Sequence, residues 1–157
     1  HMMISKTTGS FMDYDGEIAF SADDLVNSRF DLTIKVASIN THNEMRDGHL
    51  KGAEFFEAEK YPTIVFKTKK IVSLGNDKYA LTGDLTMKDV TKEMEIPVSI
   101  LGPIVFPEGK GTGVGISSQF QINRQDFHVN FNKKLDNGGL MVGDVVDVTV
   151  NLEAHAK

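Results

Sequence analysis

Cysteine is absent from the 157 residues. Its absence excludes disulfides, thiolate nucleophiles and thiolate-held zinc or iron–sulfur centres, and it fits reducing and oxidising compartments equally well. No apolar run approaches the ~20 residues of a membrane-spanning helix. Without such a run stable membrane insertion is not expected; the opening HMMISKTTG also lacks the apolar core, roughly 7–15 residues long, of a secretory signal, as a mature secreted chain would. No nucleophile-elbow or phosphate-loop motif occurs. Positive charge is the minority sign: 17 Lys and Arg against 22 Asp and Glu leave a net charge of −5. That is the wrong sign for a phosphate-backbone partner, so nucleic acid is set aside.

What is present is ordinary for one globular domain spanning residues 1–157. Hydrophobic residues make up 40% and charged residues 25%, and a chain of this length buries about two thirds of its unfolded surface without staples. The dominant pattern is two-residue alternation, the mark of strands with one buried face. Met12, Tyr14, Ile18 and Phe20 share one parity. Phe30, Leu32, Ile34 and Val36 alternate with Arg29, Asp31, Thr33 and Lys35 in the clearest strand of the chain. Ile64, Phe66 and Thr68 follow, then Tyr79 to Met87, Met94 to Ile100, Val114 to Ile122, and Val146 to Leu152. Leu74-Gly75-Asn76-Asp77 carries the chemistry of a tight hairpin. Pro97 lies on the outward parity and requires an edge, a bulge or a position free of pairing. Pro103 to Gly113 reads as a loop.

One stretch breaks the alternation: SINTHNEMRDGHLKGAEFFEAEKYPTI, residues 38–64. Thr41 followed by Glu44 has the form of a capping box, predicting a short helical insert over about residues 42–58, with Gly52 offering a left-handed exit. Seven strands with a single helix between two of them exclude a βαβ arrangement and require an antiparallel sandwich or barrel.

TIKVASINTHNEMRDGHLKGAEFFEAEKYPTIVFK, LTGDLTMKDVTKEMEIPV, INRQDF and VGDVVDVTVNLEA together, in this order, resemble the YceI-like polyisoprenoid-binding family over essentially the whole chain. The resemblance implies an all-β, lipocalin-like antiparallel barrel with one helical insert. Its interior would hold an amphiphilic lipid, a polyisoprenoid such as an isoprenoid quinone tail or a polyprenyl phosphate, with no other cofactor required, in a carrier or storage protein. It also implies one more strand ahead of the HMMIS segment, so that the first family strand is absent here and the gap calls for a second copy (a homodimer), a ligand along the seam, or a longer chain. INRQDF is ordinarily followed by glycine; here His128 stands in that place. A periplasmic or secreted location follows from the resemblance, while the composition suits the cytoplasm equally.

The inward parity supplies the expected tail-binding residues: Phe30, Leu32, Ile34, Ile64, Phe66, Leu81, Leu85, Ile96, Val98 and Phe120. The same faces are required by any filled β-core, and an eight-stranded barrel is at the size where the interior is either full or holds one small ligand. Gly83, Ser118 and Thr68, also inward, would leave room or offer a hydroxyl. On the insert, Arg46 suits an anionic or carbonyl head group, with Asn43 and His49 as further donors. The competing reading has Arg46 and Asp47 fixing the insert to the barrel. An enzyme acting on a lipophilic substrate would use Asp47 or Glu44 as base, His49 as acid and Arg46 for binding. His42 and His49, seven apart, lack a metalloprotease spacing and an assured third ligand, so no metal is expected. Arg124 with Asp126 reads as a strand-end ion pair, and Lys133-Lys134 as a solvated loop.

Overall fold

The computed structural model describes residues 5–107 and 111–155. The expectation for the start of the HMMIS segment therefore lies outside the described residues. In chain order the elements are β1 (Ser10–Phe11), β2 (Tyr14–Ala19), β3 (Arg29–Lys35), β4 (Ile39–Asn40), α1 (Glu44–Lys51), β5 (Thr63–Gly75), β6 (Lys78–Met87), β7 (Val90–Val105), β8 (Thr112–Asn123) and β9 (Val145–His155). Seven strands form one antiparallel sheet in the order β2-β3-β5-β6-β7-β8-β9, curled into a half-barrel, and β1 pairs with β4 in a two-stranded ribbon beside it. Among the described residues β2 and β9 have no strand on their outer sides.

Register follows the alternation. Leu32 faces Phe66, Phe66 faces Leu85, Leu81 faces Ile96, Val98 faces Ser118 and Phe120 faces Val148, so the inward sides of all seven strands merge into one apolar surface. Lys69 is an extra residue between the pairs Thr68–Gly83 and Lys70–Thr82. This bulge switches the buried parity of β5 from Ile64 and Phe66 to Ile71. The β5–β6 hairpin turns through Asn76 and Asp77, both left-handed at φ 51° and 60°, as its residues foretell. Pro97 is compatible with a central strand because of its place in the ladder. Ile100 donates to Asp77 across from β6, which puts the nitrogen of Pro97 on the β8 side, and the β7–β8 register ends at Val98.

Several expected boundaries move. The first strand is broken at Met12-Asp13 into β1 and β2; Phe11 packs against the core, while Met12 is exposed. The segment from Pro103 is not a loop: β7 runs to Val105 and pairs with β8 through a bulge between Leu101 and Ile104. The helix is shorter than its pattern suggests, ending at Lys51, and residues 52–60 are turns. Gly52 leaves it extended (φ −74°, ψ 175°) rather than left-handed, and the left-handed residue comes later, at Glu57 (φ 49°).

Antiparallel order sends the connections alternately to two ends of the sheet. The insert (residues 36–62), the β6–β7 turn and the β8–β9 connection (residues 124–144) meet at one end. The β2–β3 connection, the β5–β6 turn and the β7–β8 connection meet at the other.

Candidate functional site: the apolar interior and its floor

All ten residues expected to line the interior point into it. Phe30, Ile64, Phe66, Leu81, Leu85, Ile96 and Val98 are buried, and Leu32, Ile34 and Phe120 pack partly buried against them. The three positions expected to leave room or a free hydroxyl do neither. Gly83 is covered by the ring of Phe66, whose Cζ would overlap a Cβ placed there. The Thr68 hydroxyl closes on the backbone of Phe30, accepting from its N–H (2.9 Å) and donating to its carbonyl (2.8 Å). Ser118 Oγ donates to the Pro97 carbonyl. No buried side-chain nitrogen or oxygen among the described residues lacks a partner. The interior therefore offers dispersion contacts and few polar handles.

At the insert end the chain builds a floor around Thr41. The helix N-cap is Asn43, whose side chain accepts from the Arg46 N–H at 3.0 Å, so the expected capping box of Thr41 and Glu44 does not form. Thr41, buried, has a different task. Its N–H and hydroxyl both donate to Asp47 Oδ1, and its Oγ1 and carbonyl accept from Arg46 Nε and Nη2, each at 2.8 Å. The bonds from Thr41, hydroxyl first, hold the Asp47 carboxyl below the usual carboxylate range. His42, expected on the helix face, lies outside the helix in a left-handed conformation (φ 59°). His49 Nε2 meets Glu54 Oε2 at 2.6 Å, and its ring stands edge-on to Phe55 and Phe131, each 4.9 Å away. Thus Asn43, Arg46, Asp47 and His49 each have a partner within this end of the fold. The expected assembly of Arg46, Asp47 and His49 around one reacting point is not what these contacts build.

Two further knots tie the floor. The side chain of Lys88, in the β6–β7 turn, is 8% exposed; its Nζ lies 3.1 Å from Glu57 and 3.0 Å from the His128 carbonyl. His128 is left-handed (φ 57°, ψ 25°), the conformation that explains why glycine is expected there, and its Nδ1 sits 2.9 Å from Asp89. That contact holds the Asp89 carboxyl below its ordinary range. Arg124 is buried and does not pair with Asp126, which instead meets Lys92. Its guanidinium fans onto the carbonyls of Gly143, Val129 and Val142 and onto Asp144 at 3.1 Å. Burial, opposed by Asp144, lowers its pKa from the ordinary arginine value. Thr41 is visible in the sequence with a different role; Lys88 and Glu57 carry no signal, because a lysine that turns its side chain inward from a polar turn has the same sequence as a solvated one.

Two clefts open outside this core. One, about 540 Å³, lies at the start of α1 between Met12, Ser38, Asn40, His42, Glu44 and Asp47; the other, about 390 Å³, lies over β8 and β9 beside Phe120, Gln121, Asp147 and Val148. No group of three His, Asp or Glu side chains among the described residues is placed to hold a metal.

Residues 1–154 match the YceI-like domain. The chain belongs to the YceI-like family. The UPF0312 protein SA2479 of Staphylococcus aureus strain N315 is 34% identical to it over 153 residues, 98% of this chain and 86% of that protein. The crystal structure of the Campylobacter jejuni YceI protein aligns with a TM-score of 0.86 at 33% identity, over 100% of this chain and 89% of that one. A polyisoprenoid binding domain from Saccharophagus degradans shares the fold at 16% identity, with a TM-score of 0.70 over 95% of this chain and 85% of that domain. The half-barrel of this chain is thus built on the fold it shares with the YceI protein of Campylobacter jejuni.

Proposed function

We propose that this YceI-like protein holds the hydrocarbon tail of an amphiphilic polyisoprenoid lipid, an isoprenoid quinone or a polyprenyl phosphate, among Phe30, Leu32, Ile34, Ile64, Phe66, Leu81, Leu85, Ile96, Val98 and Phe120, as a carrier or store. The observation that carries the reading is the continuous apolar lining in which Thr68 and Ser118 have already spent their hydroxyls on backbone. Such a lining favours a ligand with nothing to hydrogen-bond along its length. Membership of the YceI-like family and a structural neighbour that is itself a polyisoprenoid binding domain support the same class of ligand. At ~0.8 kcal/mol per buried methylene a 40-carbon tail would gain roughly 30 kcal/mol, above the ceiling near 20 for non-covalent complexes, so ordering the tail must offset much of it. Organic extraction of protein purified from a bacterial host, followed by mass spectrometry, is expected to release a polyprenyl species in a defined ratio to protein. Lipid-free protein that also fails to take up a long-tailed quinone would overturn the reading.

A further inference from the structure

Asn137 is the only asparagine in the sequence that precedes a glycine. It stands at the tip of a small hairpin inside the β8–β9 connection. Lys134 bridges Leu140, the Leu135 N–H donates to the Gly139 carbonyl at 2.8 Å, and the Gly138 N–H donates to the Leu135 carbonyl at 2.9 Å. The loop is therefore Asp136-Asn137-Gly138, a turn closed by one left-handed residue, and Gly138 takes that place at φ 81°. At the base of the hairpin Met141 donates to the Lys133 carbonyl, and Asn132 holds both backbone groups of Val142. Within this turn the Asn137 side-chain oxygen accepts from the Gly139 N–H at 3.0 Å, folding side chain over backbone across the Gly138 peptide. Its side-chain nitrogen has no acceptor among the described residues. Asn137 and Gly138 are exposed, and nothing lies within 4 Å of where a Cβ of Gly138 would stand. The other asparagines precede residues that carry a side chain, and several are committed: Asn43 caps α1, Asn123 accepts from the Gln125 N–H, and Asn132 holds Val142.

The main-chain nitrogen that follows an asparagine is a nucleophile tethered beside that residue's own amide carbon, and a glycine there brings no side chain to crowd the ring that forms. When the Gly138 nitrogen adds to Asn137 Cγ, negative charge develops on Oδ1. The Gly139 N–H already points at that atom, as a donor to an oxyanion must. The Gly138 proton, held by the Leu135 carbonyl, goes to hydroxide once that bond opens, and a loop tip is where such a bond opens most readily. The bond from Cγ to Nδ2 then breaks, and Nδ2 leaves as ammonia with a proton from water, which restores the hydroxide. A second water opens the resulting succinimide. Attack at Cγ gives aspartate; attack at the main-chain carbonyl gives isoaspartate, whose backbone runs through Cβ and Cγ. In net terms one water is consumed and one ammonia released, with no oxidant or reductant.

We propose that Asn137 is a deamidation site that the folded hairpin itself promotes, and that its conversion is a one-way change in the β8–β9 connection. Isoaspartate adds a carbon to the main chain between Leu135 and Gly139, the two residues whose pairing sets the turn, and the new carboxylate stands next to Asp136. The grip of Asn132 on Val142 confines the change to residues 133–141. Peptide mapping by mass spectrometry of the full chain, aged at neutral and at mildly alkaline pH, tests this. Methyl transfer from S-adenosylmethionine by an isoaspartyl methyltransferase gives a second readout. In the folded chain Asn137 is expected to convert roughly tenfold faster, or more, than any other asparagine, at a rate that rises with hydroxide. The chain unfolded in urea should convert it no faster, because the Gly139 donor is lost there. In the aged protein amide exchange should quicken at Leu135, Gly138 and Met141 and stay unchanged at Arg124 and Val129. Asn137→Gln, which would have to close a larger ring, should show no mass change at this position and lower methyl acceptance. An Asn137 that persists in the folded chain and converts in urea would overturn the proposal, since the hairpin would then be a shield. So would conversion spread evenly over the asparagines of the folded chain.

Discussion

Gly83 and Thr41 each fix a local arrangement that no neighbour could supply. Phe66 lies across Gly83 because nothing projects from it, and the Lys67 carbonyl would stand 2.5 Å from an added Cβ. Gly83→Ala must push either a ring or a strand aside, and overpacking of this kind costs roughly 1–3 kcal/mol; chemical denaturation should report a loss in that range. Thr41 holds α1 through Asp47, whose carboxyl titrates below the ordinary range because the Thr41 hydroxyl and N–H stabilise its charged form. A carboxyl depressed in the folded state contributes stability above its unfolded pKa and loses it as the pH falls through the folded one. Protection of the α1 amides against hydrogen exchange should therefore be full above about pH 4 and decline below it. In Asp47→Asn the same amides should be less protected at neutral pH, with little further change on acidification.

Among the elements, the β8–β9 connection depends most on one residue. Arg124 collects the carbonyls of Val129, Val142 and Gly143 and the carboxylate of Asp144, and the neck is completed by Asn132, which donates to the Val142 carbonyl and accepts from its N–H. Lysine keeps the charge but not the planar fork that reaches in three directions. Arg124→Lys is expected to cost roughly 1–3 kcal/mol through orphaned acceptors, with the loss of exchange protection concentrated in residues 129–144. Alternation made the strands legible from sequence, because a period of two survives any detail of turn or ligand. It located the interior residue by residue, from Phe30 to Phe120. What it could not reach was contact between elements distant in sequence. Proximity in sequence pairs Arg124 with Asp126, two residues on, whereas its acidic partner, Asp144, is twenty residues away. Arg46 and Asp47 were visible as chemistry, but whether they serve a ligand or Thr41 depends on where β4 leaves the chain. The β7–β8 ribbon read as a loop because Gly102, Pro103 and the bulge interrupt the alternation there.

For the molecule as a whole, the test of an interior with room is a substitution that takes the room away. Leu81 is buried on the inward face. Leu81→Trp should suppress uptake of a long-tailed quinone while leaving the melting temperature within a few degrees of the parent. In a full core the same change would lower stability by roughly 1–3 kcal/mol, so calorimetry beside uptake separates the two. The free margins of the sheet bear on the same question. In a closed barrel, girth is fixed by strand number and shear, which change only in whole steps. Here β2 and β9 have no outer neighbour among the described residues, so no strand pairing between these two margins fixes the girth of the sheet. Under the proposed carrier function, depth, bounded by the floor that Thr41, Lys88 and Arg124 tie together, would be the fixed dimension, and the container would measure a tail by how far it reaches, not by how thick it is.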